Sequence, residues 1–71
     1  MTNAVQFEIV LLRKGKTKKD IANVLGISLQ ALYNKLNNVV DFKTREVNII
    51  VEYLKLTIEE MMEIFFAHGV E

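Results

Sequence analysis

The chain has 71 residues, is 51% hydrophobic and contains no cysteine, so one small domain must be held by packing or association without any disulfide. Its formal net charge is zero, which by itself argues against a general polyanion binder. No apolar run exceeds four residues, far below the roughly 20 of a membrane-spanning helix, and no basic-then-apolar leader opens the chain. The expectation is a small all-α domain in the cytoplasm.

Thr2-Asn3 offers a cap for a first helix running to about Lys14, with Gly15 as its stop. At about 100° per residue, Phe7, Val10, Leu11 and the stem of Lys14 share one face. Val5, Ile9 and Leu12 form a narrow stripe on the opposite face. A helix apolar on two sides is fully buried, has a second partner, or leaves a few apolar side chains wet, as any surface does.

The stretch TKKDIANVLGISLQALYNKLN, Thr17 to Asn37, reads as two short helices joined by a tight turn. Thr17 can cap the first, and Ile21, Ala22 and Leu25 give it one apolar stripe. Gly26 follows where the chain must reverse, a place for the positive φ that costs glycine least. Ile27 plugs the turn, and Ser28 caps a second helix from about Leu29 to Leu36. Leu32 and Leu36 face inward there, while Leu29, Gln30, Tyr33 and Asn34 face outward. Two helices joined by a short glycine-containing turn make a helix-turn-helix.

After Asn37 comes a loop in which Asn38 tolerates left-handed geometry and Phe42 anchors the chain to the core. Thr44 is expected to cap a fourth helix whose stripe is Val47, Ile50, Val51 and Leu54. Thr57 and Glu60 make a capping box for the last helix, Ile58 to Ala67, which Gly69 ends. Its apolar arc, from Ile64 through Met61, Phe65, Ile58 and Met62 to Phe66, spans about 200°, more than one core stripe needs. The expected core is Phe7, Val10, Leu11, Ile21, Leu25, Ile27, Leu32, Val47, Ile50, Leu54, Met61 and Phe65.

Thr17, Ile21-Ala22, Leu25-Gly26-Ile27, Ser28 and Leu32 together resemble the Cro/repressor class of helix-turn-helix regulators. The likeness continues into TREVNIIVEYLKLTIEEMMEIFF, similar to the last two helices of that five-helix fold, and is closest to small phage regulators. Two positions depart from the pattern. Lys16 and Lys35 stand where the class carries apolar residues, and the expectation is that their stems are buried and their charges stay in water. The resemblance implies a compact five-helix bundle, with the face of Phe7, Val10 and Leu11 turned to the core. It also implies that the third helix enters the major groove and reads bases with Leu29, Gln30, Tyr33 and Asn34. Carboxamides suit this, since each can donate to and accept from adenine, and Leu29 can meet a thymine methyl. Thr17, Lys18, Lys19, Ser28, Asn37 and Lys43 would then hold phosphates, Lys18 and Lys19 beside the free N–H groups of a helix start.

Charge distribution supports that reading. Between Arg13 and Arg45 the net charge is +6, and from Glu46 to the end it is −5. A basic half coinciding with the two-helix motif is the footprint expected of a DNA-facing surface. Nothing in the sequence builds a catalytic set, a metal site or a phosphate loop, and no cofactor is expected. His68, the only histidine, is expected near a helix C-terminus, where a cation is welcome. Met61 and Met62 are expected as filler.

The function expected is therefore a sequence-specific transcriptional regulator, a phage lysis–lysogeny switch protein acting on a double-stranded operator in a bacterial host. The class binds paired half-sites as dimers, so Val5, Ile9, Leu12, Ile58, Met62 and Phe66 are expected at a protein interface. That interface serves either a homodimer or a co-encoded repressor. In the second case the chain acts as an antirepressor, blocking the repressor's own DNA binding.

Overall fold

The computed structural model describes residues 1–66. Five helices follow in order: α1 (Ala4–Lys14), α2 (Lys18–Leu25), α3 (Leu29–Leu36), α4 (Thr44–Leu54) and α5 (Ile58–Phe65). There is no strand among the described residues, and none of the helices is long and apolar enough to cross a membrane. The expected extension of the last helix to Ala67, its stop at Gly69 and the place of His68 lie outside the described residues.

Short helices need their ends satisfied, because four N–H and four C=O groups at each pair of ends lack intrahelical partners. The Asn3 side chain accepts from the Gln6 amide at the head of α1, and the Ser28 hydroxyl accepts from Ala31 at the head of α3. Thr17 with Asp20, and Thr57 with Glu60, form reciprocal capping boxes at α2 and α5. Gly15 and Gly26 close α1 and α2 at φ 71° and 72°. Neither would crowd a Cβ, so it is the backbone angle that asks for glycine there.

The fourth helix starts differently from the sequence expectation. Thr44 is its first helical residue and Lys43 occupies the cap position. A lysine cannot accept a hydrogen bond, so the closure is one-sided: the Glu46 carboxylate reaches back to the Lys43 amide at 2.8 Å.

The core takes side chains from every helix: Phe7, Val10 and Leu11 from α1, Ile21, Ala22 and Leu25 from α2, Leu32 and Leu36 from α3, Ile50 and Leu54 from α4, and Ile64 and Phe65 from α5. Ile27, Val47 and Met61, expected inside, are partly buried and pack against this core. Ile64, which the sequence put at the edge of an arc, is wholly buried. Phe42 anchors its loop as expected, meeting Phe65 edge-to-face with centroids 5.3 Å apart.

Lys35 corrects a sequence expectation. Its charge is not in water: the residue is 8% exposed, and its ammonium lies 3.1 Å from the carboxylate of Glu46, itself 3% exposed. The ammonium also donates to the Asp41 carbonyl at 3.5 Å and stands over the Phe42 ring. α3 thus carries a cation on its core face because α4 supplies an anion in its first turn. Lys16 keeps its charge at the surface as expected, but the residue is exposed rather than buried along its stem, with its ammonium over Tyr53.

Candidate nucleic-acid interface

The chain between α2 and α3 reverses within Gly26, Ile27 and Ser28. The Gly26 amide donates back to the end of α2, and the Ile27 amide donates to the Ala22 carbonyl at 3.0 Å. Ile27 packs inward and Ser28 caps the next helix, so the turn has no slack. Leu32 and Leu36 then fix the roll of α3 against the core.

That roll decides what α3 shows to solvent. Leu29, Gln30 and Tyr33 are exposed, and Asn34 is half-buried. The Gln30 amide nitrogen donates to the Asn34 side-chain oxygen at 3.2 Å, tying the two carboxamides together one turn apart. Gln30 keeps its own oxygen and a second N–H for a further partner. Asn34 is half-covered because Val39 and Val40 fold back, their amides donating to its backbone carbonyl. All four residues expected to read bases therefore lie on one patch, with Asn34 the least accessible.

The expected phosphate contacts are arranged less evenly. Ser28, Thr17, Lys19, Asn37 and Lys43 are exposed, and Lys19 and Lys43 form no ion pair with a described residue. Lys18 is already engaged. Its ammonium pairs with Glu8 of α1 and lies 5.5 Å from the centroid of the Tyr33 ring. At the same helix start, the Thr17 amide and, to a lesser degree, its hydroxyl hold the Asp20 carboxyl below its ordinary range.

Several charges of the basic half are offset in three dimensions. Arg13 and Lys14 both reach Glu60, at 3.4 and 3.6 Å, and Lys35 is consumed by Glu46. The Thr57 amide, more than these cations, keeps the Glu60 carboxyl below the usual range, against the opposing effect of burial. For Glu46 burial is the largest influence and works against the charge, yet the Lys43 amide and the Lys35 ammonium together outweigh it. The cations of the basic half that form no ion pair with a described residue, Lys16, Lys19, Lys43 and Arg45, come from around the α2–α3 pair and the start of α4.

The residues expected at a protein interface are all exposed. On α1, Val5 is 69% and Leu12 79% accessible, with Ile9 between them at 42%. On α5, Ile58, Met62 and Phe66 are exposed in the same way. Val39 and Val40, which the sequence reading passed over, add an exposed apolar pair in the loop after α3. Glu8 was given no place in the site by sequence. It falls on the arc of Val5, Ile9 and Leu12 by helical spacing, and only the angle between α1 and α2 brings it to Lys18.

No curated protein and no solved structure matches the chain. One family does match, over residues 7–68, a span that takes in α2, α3, α4 and α5 and most of α1. On that match the chain belongs to the family described as Protein of unknown function (DUF739).

Proposed function

We propose that this protein is a sequence-specific DNA-binding transcriptional regulator of the Cro-like kind, with α2 and α3 acting as a helix-turn-helix and α3 entering the major groove. The observation that carries this reading is the outward patch of α3, where Leu29, Gln30, Tyr33 and Asn34 sit together beside exposed lysines. The two carboxamides offer both donors and acceptors to a base edge. Thr17 and Lys19 line one groove with Leu29 and Tyr33, and together with Ser28, Asn37 and Lys43 they would set the register on phosphates. The proposed site of action is the cytoplasm of a bacterial host, in a phage switch.

Selection from a random duplex library tests the reading. An enriched sequence is expected, and Gln30→Ala should lower the specific-to-nonspecific ratio by about 1–3 kcal/mol at one base position. Lys19→Ala should weaken all sequences alike and flatten the salt dependence by about one unit of slope. If no sequence is enriched at low salt, direct operator reading is wrong.

A second reading is favoured by the exposed stripes Val5–Ile9–Leu12 and Ile58–Met62–Phe66. In it the chain is an antirepressor that covers a co-encoded repressor with these faces. Mixing with that repressor and measuring the repressor's own operator binding separates the two.

A further inference from the structure

Resting on the DNA-binding reading, we propose that Glu8 is a built-in brake on the interface: its carboxylate occupies the Lys18 ammonium that a DNA phosphate would otherwise take. Lys18 is the first residue of α2, where the helix N–H groups already favour an anion. The Asp20 carboxylate already caps that start on the Thr17 amide, and the anion on the Lys18 ammonium in the free protein is the side chain of Glu8, reaching across from α1. Both side chains are open to solvent, Lys18 at 29% and Glu8 at 50%, so a phosphate can reach the cation without unfolding anything.

One shallow groove collects the parts. Glu8 and Leu12 come to it from α1, Lys18 and Lys19 from α2, and Leu29 and Tyr33 from α3. Glu8 is the single carboxylate on that groove. A duplex seated on α3 brings phosphates to the α2 start, and the carboxylate then competes with them for the ammonium. When the phosphate wins, Glu8 is left without its partner and takes up a cation from solution. That uptake cancels part of the counterion release that drives binding. The brake acts on all sequences, because a phosphate contact carries no base information.

The test compares wild type, Glu8→Gln, Lys18→Ala and the double variant by titration with operator and with random duplex across a salt series. Glu59→Gln, an exposed carboxylate outside this groove, controls for net charge. Glu8→Gln is expected to raise affinity for both duplexes about two- to fivefold at low salt, the scale of a solvent-exposed ion pair. Its salt slope should steepen by about 0.9, and both effects should vanish in the Lys18→Ala background. Equal gains from Glu8→Gln and Glu59→Gln, or a gain that survives without Lys18, would overturn the brake. So would unchanged affinity in Glu8→Gln while wild type binds duplex. If wild type and Glu8→Gln both bind no duplex at low salt, the DNA-binding reading itself falls, and the brake with it.

Discussion

Lys35 and Glu46 form an ion pair inside the domain, 3.1 Å apart, with the cation on α3 and the anion on the first turn of α4. Neither charge could be tolerated there alone, since an unpaired buried ion costs several kcal/mol. Their contact ties α3 to the start of α4, alongside the packing of Leu32 and Leu36 that sets which side chains α3 presents outward.

Lys35→Met should destabilise the domain by about 3–5 kcal/mol, because it strands the Glu46 carboxylate in the core. Adding Glu46→Gln should restore most of the loss. A glutamine still accepts from the Lys43 amide, and no charge is then left buried. Urea midpoints of the two single variants and the double variant check this. A double variant no more stable than Lys35→Met would mean the pair is not the reason for the loss.

Acid should weaken the fold through the same carboxylate. The Glu46 carboxyl is held below its ordinary value, so its contribution is present above the unfolded glutamate pKa of about 4.3 and is lost as pH falls through the lowered folded value. Asp20 and Glu60 are shifted the same way and add to the trend. Thermal melts from pH 6 downward should fall steeply only below about pH 4. Glu46→Gln should flatten that part of the curve.

Lys55 closes α4 at φ 56°, in the left-handed region where a side chain is unfavourable. Lys55→Gly should therefore stabilise the protein by about 1 kcal/mol. The contact made through the Lys55 backbone carbonyl, which accepts from Lys14, survives the change. A lower melting temperature in this variant would show that the lysine side chain contributes more than the backbone strain it imposes.

Ile9→Glu or Leu12→Glu should leave the helical spectrum intact, because both side chains already face solvent. Burial of the Val5–Ile9–Leu12 stripe would be worth roughly 1.5–3 kcal/mol per side chain, much of it offset by association entropy, so a micromolar contact is expected. Sedimentation of wild type should show self-association, or a complex with a co-encoded repressor, that the variants lose. Unfolding of the variants would instead place the stripe in the core.

Much of the fold was legible because each helix carries local instructions. Asn3, Thr17, Ser28 and Thr57 announce four helix starts, and Gly15 and Gly26 announce two ends. What the sequence hid depends on how the helices cross. Lys35 looked like a surface lysine on a core face, and nothing within one helical turn of it reveals Glu46 eleven positions later. Glu8 counted as a stray acid until α1 and α2 met. The outward patch of α3 was readable, since one apolar stripe sets the whole wheel, but the loop that half-covers Asn34 was not.

The first residues of the chain are fastened to distant ones. The Asn38 carboxamide holds both backbone groups of Thr2, accepting from its amide at 2.8 Å and donating to its carbonyl at 3.0 Å. The next amide, that of Asn3, donates to the Ile64 carbonyl at 2.7 Å. On the ribosome these residues emerge well before the groups that receive them, which lie in the loop after α3 and in α5. The start of α1 must therefore wait for its partners until nearly the whole described chain has been made, so its docking is a contact of long sequence separation.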